Sequence, residues 1–309
     1  MEIKKFKLPS AQDALPLSIW IALPENGAAR AVFQISHGMS EHKERYQALM
    51  EYLCGYGFAC VIHDHRGHGE SVRSTDDYGY FYKDGADALI EDLHQVSLFA
   101  KKQFPNLPFF LFGHSMGSMA VRCYLKQYDY ELNGLIVCGS PSYNPASLAG
   151  QILAEIIGAI RGSHYRSGLL QTLSFGSFPK KFSGEQSQNS WLSSSNKSVE
   201  IYDQDPQCGF VFTANGFQNL YRLMRKTYSR KGWQLRHSSL PIYFISGADD
   251  PCLINKEKFI NAVSFLKARG YYNTTYHLYP GKRHEILNED IQSQVLEDIH
   301  TFCENQISF

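Results

Sequence analysis

The stretch Pro108-Phe109-Phe110-Leu111-Phe112-Gly113-His114-Ser115-Met116-Gly117 holds the key to the fold. Its apolar first half reads as a buried strand, the G-x-S-x-G from Gly113 to Gly117 as a sharp turn, and Met116 to Gln127 as a helix. In that order the serine is forced into a strained backbone conformation, and the glycines two residues to either side leave room for the chain to fold back. Ser115 is therefore a candidate nucleophile displayed at a strand end.

Working outward, further short apolar runs predict strands at Ala31 to Ser36, Ala59 to His63, Leu135 to Cys138, Ile242 to Ser246 and Thr274 to Leu278. Helical periodicity fills the gaps at Tyr46 to Gly55, Gly85 to Phe104, Asn255 to Arg269 and Ile286 to Cys303. Alternation of this kind implies an α/β fold with a mostly parallel sheet covered on both faces. It breaks at Pro141 and resumes at Leu240, an interval of about a hundred residues that no ordinary crossover needs. The interval opens with Leu148, Ile152, Leu153, Ile156, Ile157 and Ile160 at helical spacing and turns serine-rich from Lys180 to Ser198. A helical insertion packing its apolar face on the main domain accounts for this pattern; so does a cap whose apolar face lines a substrate channel.

The chain has 309 residues, and 30 basic side chains balance 30 acidic ones, so a dedicated nucleic-acid binder is disfavoured. No apolar region follows the charged start MEIKKFKLPSAQ, and no later run is long enough to span a bilayer, so a cytoplasmic protein is expected. Seven scattered cysteines, none in a C-x-x-C, are expected to be reduced and mostly buried.

A serine hydroxyl needs a base, and the base needs a carboxylate to orient it. Of the late histidines, His277 falls mid-strand and His300 mid-helix, whereas His284 lies in a loop after a strand, where an open α/β sheet places its chemistry. His284-Glu285-Ile286-Leu287-Asn288 resembles a zincin helix, but Asn288 stands where a second metal histidine is required. The acid is expected just past Ile242 to Ser246, at Asp249 or Asp250; Asp250 is preferred because the following proline stiffens it, while Asp249 suits turn hydrogen bonds. An oxyanion requires two backbone N–H donors, assigned by position to Met116 and to Met39 in the turn His37-Gly38-Met39-Ser40. The crowded His63, Asp64, His65 and His68 offer a metal reading, and His114 is taken as support for the turn.

Together, His37-Gly38-Met39-Ser40-Glu41-His42, Asp64-His65-Arg66-Gly67-His68-Gly69-Glu70-Ser71, the G-x-S-x-G, Gly247-Ala248-Asp249-Asp250-Pro251 and Pro280-Gly281-Lys282-Arg283-His284-Glu285 closely resemble the monoacylglycerol lipase and lysophospholipase branch of the α/β-hydrolases. Asp205-Pro206-Gln207-Cys208-Gly209-Phe210 is similar to bacterial members. The resemblance implies an α/β-hydrolase core at 1–142 and 213–309, with a helical cap at 143–212 inserted between the sixth and seventh strands. It implies Asp250 as the acid, since the family's aspartate lies three residues after the strand-end glycine, and a bracing role for the histidine-rich loop. The expected activity is cleavage of lipid-like carboxylic esters through an acyl-enzyme on Ser115, with no cofactor, metal or nucleic-acid partner. Contact with a membrane would be transient and made through the cap. Thioesterase or proline-iminopeptidase-like activity on the same triad, and a non-catalytic ligand receptor, are the rival readings.

Overall fold

A computed structural model describes residues 1–25 and 27–307 of the chain. Its centre is an eight-stranded sheet: β1 (Glu2–Pro9), β2 (Pro16–Leu23), β3 (Ala31–Ser36), β4 (Phe58–His63), β5 (Phe109–His114), β6 (Gly134–Cys138), β7 (Ile242–Gly247) and β8 (Thr274–Tyr279). The spatial order is β1-β2-β4-β3-β5-β6-β7-β8. From β4 to β8 all neighbours are parallel, while β1 with β2 and β2 with β4 are antiparallel. The six predicted strands are all present. The hairpin of β1 and β2 was not foreseen: β1 carries Lys4, Lys5 and Lys7 and has no apolar run, as suits an edge that must not recruit another chain.

Helices α1 (Gln47–Gly55), α2 (Gly85–Gln103), α3 (Met116–Tyr128), α4 (Ser147–Arg161), α5 (Gly168–Phe175), α6 (Asn196–Gln204), α7 (Ala214–Thr227), α8 (Lys256–Lys267) and α9 (Gln292–Ile307) cover the sheet. Two apolar cores result, one on each face, with Leu93, Val121 and Phe244 in the first and Phe33, Leu53 and Ile299 in the second. Strand β5 feeds both, through Phe109 and Leu111 on one side and Phe110 and Phe112 on the other. That is why its sequence is apolar without alternation.

Two expectations need correction. Ile286 to Cys303 is not one helix: a 3-10 turn at Ile286–Asn288 precedes α9, because the Glu289 carboxylate between them accepts from the backbone N–H of Arg283 (3.0 Å) and of Ser194 (2.9 Å). The apolar residues of α4 do not all pack inward. Ile157 packs on the core and Leu153 lines a cavity, but Leu148, Ile152, Ile156 and Ile160 face solvent, Ile160 being 75% exposed. Between β6 and β7 run α4 to α7, of which α7 packs on α2 and α3 as well as on α4.

Candidate active site

Three loops at the C-terminal ends of parallel strands converge. The turn after β5 holds Ser115 at φ 52°, ψ −115°. No side chain is tolerated two residues to either side of it: a Cβ on Gly117 would lie 2.1 Å from the Ser36 carbonyl oxygen, and one on Gly113 2.5 Å from that of Gly117. The strain is thus over-determined by packing. His284, five residues past β8, brings Nε2 to 2.9 Å from Ser115 Oγ, and its Nδ1 lies 2.9 Å from Asp250 Oδ2. The same Asp250 oxygen accepts from Ser246 Oγ (3.0 Å), and Oδ1 accepts from Cys252 N–H (2.8 Å). Asp250 and His284 are buried, whereas Ser115 is partly open to a cavity. Asp249 is exposed, and its N–H donates to the Lys282 carbonyl at 2.9 Å. His277 lies exposed on β8, and His300 stacks on Tyr56 at 3.9 Å.

Met39 and Met116 line the cavity beside Ser115. Neither backbone N–H donates to another described residue. The loop bearing Met39 is held from beneath by a buried polar network that spacing alone did not reveal. Glu41 Oε1 accepts from Gly38 N–H (2.5 Å) and Tyr46 Oη (2.9 Å) and lies 3.1 Å from His114 Nδ1. Arg45 bridges Glu41 (2.8 Å) to both Glu285 oxygens (2.8 and 2.7 Å). Burial would raise the Glu41 carboxyl, but the His114 hydrogen bond and the Arg45 charge outweigh it and hold the group well below its ordinary value. Burial likewise opposes charge on His114, yet Glu41 raises it on balance. His114 Nε2 reaches the His284 carbonyl oxygen at 3.3 Å, so it braces the site. Glu41 and Glu285 stand inside motifs legible in the sequence; their union through Arg45 was not, because 240 positions separate Arg45 from Glu285.

The histidine-rich loop forms a second tier. His65 N–H donates to His37 Nε2 (2.9 Å), and the His37 and His65 rings pack 4.3 Å apart. Asp64 accepts from Lys43 Nζ (2.6 Å) and two backbone N–H groups, and Arg66 pairs with Asp92 and Asp13. Ligand-bearing atoms of His63, Asp64, His65 and His68 do not converge. Among the described residues two groups do: the triad's own Asp250 and His284 with Cys252, and His42 with Asp205 and Cys208. In the latter, His42 Nε2 already engages Asp205 Oδ2 (2.8 Å), and burial raises the Cys208 thiol pKa and so disfavours the thiolate a metal needs.

Above Ser115 lies a cavity of about 850 Å³, within the range of a lipid-sized ligand. Its walls include Met119 of α3, Leu153 of α4, Leu220 and Met224 of α7, and Trp191, whose ring sits 5.1 Å from that of His284. Among the described residues, the acidic side chains lining it are Glu41 and Glu285, with His114 and Lys181 as basic ones. The two carboxylates are committed to Arg45. The site therefore sets a serine and a paired base, with two backbone N–H groups left unbonded by other described residues, before a mainly apolar cavity.

The chain as a whole is similar to known proteins. Residues 27–291 match the family model described as serine aminopeptidase, S33. The chain is 24% identical to monoglyceride lipase of Rattus norvegicus over 92% of its own length and 85% of the relative's. With the human monoglyceride lipase the identity is 25%, over 85% and 80% of the two chains. Among solved structures, a carboxyl esterase from Bacillus coagulans, in complex with glycerol, superposes with a TM-score of 0.89 at 27% identity, covering 99% of each chain.

Proposed function

The chain belongs to the serine aminopeptidase, S33 family of α/β-hydrolases, in its monoglyceride-lipase-like branch, and from its site we propose a carboxylic ester hydrolase acting on monoacyl, lipid-like esters. Ser115 Oγ attacks the acyl carbonyl while its proton passes to His284 Nε2, and Asp250 fixes the imidazole and balances the charge it gains. The oxyanion is taken up by the N–H groups of Met39 and Met116. His284 then gives its proton to the departing alcohol, and water, deprotonated by the same imidazole, releases the acid and restores the serine. No step calls for a cofactor.

One observation carries this reading: the hydrogen-bonded series Ser115, His284, Asp250 opens at its serine end into a large, mainly apolar cavity whose carboxylates are both neutralised. The family's description raises an aminopeptidase as the rival. An aminopeptidase needs a free acidic group to hold the substrate's ammonium, and among the described residues both carboxylates that line the cavity are taken up by Arg45. Residues 143–212 are read as a cap over the site, and the outward row of Ile152, Ile156 and Ile160 as its transient contact with a membrane. Ser115→Ala is expected to abolish both hydrolysis of a short p-nitrophenyl ester and labelling by a fluorophosphonate; retention of either activity would overturn the proposal.

A further inference from the structure

Among the described non-glycine residues with a positive φ, Ile254 is the one branched at Cβ. At φ 64°, ψ −58°, it centres a tight turn in which Asn255 N–H donates to the Leu253 carbonyl at 2.7 Å. This is the rarer hand of γ-turn, strained for any L-residue and most of all for a β-branched one. The neighbours hold it there. The Leu253 carbonyl also accepts from Ser142 Oγ (2.8 Å), and the Cys252 carbonyl accepts from Ser142 N–H (3.0 Å). Asp250 Oδ1 fixes the turn from one side through Cys252 N–H (2.8 Å), and Asn255 fixes it from the other by capping α8 at Lys258 N–H (2.9 Å). The contacts that seat the catalytic acid therefore also impose the strain on Ile254.

Burial gives nothing back for that strain. Leu253 and Ile260 pack into the core, but Ile254 joins no apolar cluster of the described residues and is 50% exposed. Glycine or asparagine would take the same backbone at less cost. The side chain instead helps to line the cavity above Ser115. Lining residues that are also exposed, among them Asn144, Ala146, Leu173 and Ile254, mark where the cavity opens to solvent. The large apolar ones are Ile254 on the core and Leu173 on α5 of the insertion. This rim lies close to the chemistry, since Cys252, two residues before Ile254, places Sγ 4.0 Å from His284 Nε2. Strained residues held by their surroundings gather where a side chain must be presented in one position, as Ser115 itself is.

We propose that Ile254 is a specificity-determining residue: its strained turn fixes the side chain at the rim of the cavity, where it limits the width of the esters that reach Ser115. The role rests on the ester-hydrolase reading and narrows its substrates to slender, unbranched chains at the point where they cross the rim. A side chain on a relaxed, mobile loop would yield to a wide guest; one pinned on both sides does not.

The test measures kcat/KM of the full chain on two pairs of esters. One sets p-nitrophenyl hexanoate against its counterpart of equal reach ending in a tert-butyl group; the other sets butyl butanoate against neohexyl butanoate. The first pair differs only at the far end of the acyl half, the second only at the far end of the alcohol half. Ile254→Ala and Ile254→Gly should each raise the wide-to-slender ratio about tenfold in the pair whose differing end crosses the rim, and Ile254→Phe should lower it. Thermal melting checks the strain separately. Both small variants lose the side chain, but only glycine relaxes the backbone, so Ile254→Gly should melt above Ile254→Ala, against the usual order for these two residues. Alanine melting above glycine would remove the strain from the argument and overturn the fixed rim. Ratios unchanged in both pairs, with Ser115→Ala inert, sink the rim proposal alone, whereas an active Ser115→Ala sinks the reading beneath it.

Discussion

Acid is expected to loosen this fold through the histidines packed beneath the loop after β3, and His63 isolates the effect. His63 ends β4 with no exposed surface, and burial depresses its pKa from 6.5 to about 3. His68 is depressed to about 4 by burial, and His37 and His65 lie well below their ordinary value, first through burial and then through a neighbouring histidine's charge, that of His68 on His37 and that of His37 on His65. A depressed histidine contributes stability that is complete above its unfolded pKa and is lost as pH falls below it, because the unfolded chain takes up a proton that the native one refuses. Between pH 7 and pH 5 an unfolded imidazole goes from about one quarter to nearly fully protonated while folded His63 stays neutral, which costs about 2 kcal/mol. His68 should cost nearly as much, so the loss is a large part of the 5–15 kcal/mol typical of a domain. His114, whose pKa is raised, acts in the opposite sense: its contribution is present at low pH and fades as pH rises through its folded value. Comparing wild type with His63→Leu removes such background, since the remaining groups titrate in both. Urea unfolding at pH 7 and pH 5 measures the difference. The wild type should lose about 2 kcal/mol more than the variant over that interval. An equal loss in the two proteins would refute the reasoning.

Asp250→Asn should lower kcat on a p-nitrophenyl ester by about 10⁴-fold, because an amide presents the wrong hydrogen-bonding group to His284 Nδ1, whereas Asp249→Asn should stay within about twofold. A comparable fall in both would reassign the acid. Replacing Ile156 and Ile160, which are 51% and 75% exposed, by serine should reduce sedimentation with phosphatidylcholine vesicles while leaving turnover of a soluble ester within about twofold; equal sedimentation would remove the outward row of α4 as the membrane contact.

The parts of the site legible in the sequence are those whose chemistry is tied to a strand end. Ser115 and Asp250 each follow a buried apolar run and His284 follows an edge strand whose middle is exposed, and a parallel sheet brings the C-terminal ends of its strands together whatever lies between them. Asp250 was separable from Asp249 only through the proline and the family resemblance; in three dimensions the difference is plain, one carboxylate buried on His284 and the other in solvent. The Glu41, Arg45 and Glu285 network stayed hidden because charge pairs across a fold leave no periodicity. The β2 strand, by contrast, was there to be found: Leu17, Ile19, Trp20, Ile21 and Leu23 form an apolar run, and only its antiparallel pairing with β4 departs from the alternating pattern.

Where the insertion can yield is also a matter of unequal attachment, which composition does not report. Its later half is bound into the site. Glu285 N–H donates to the Leu192 carbonyl (2.7 Å), Ser193 and Ser194 bond to Asn288 and Glu289, and Arg283 collects the carbonyls of Ser190 and Ser193. At its exit, Tyr202 Oη and Gly209 N–H both donate to the Ser40 carbonyl, Ser40 Oγ donates to Phe210, and His42 engages Asp205. Moving that segment would drag the loop that carries Met39 and leave buried donors unpaired, each at a cost of about 1–3 kcal/mol. Helix α4 is held differently, by apolar packing on α7 and by exposed polar pairs, Arg225 with Gln151 (2.7 Å) and Gln218 with Glu155 (3.2 Å). Exposed pairs of this kind contribute at most about 1 kcal/mol each. A displacement of α4 would widen the cavity at Leu153 without disturbing the serine, the histidine or the oxyanion loop. Because the bare apolar row lies on that same helix, the face proposed to meet a lipid surface and one wall of the cavity belong to a single element.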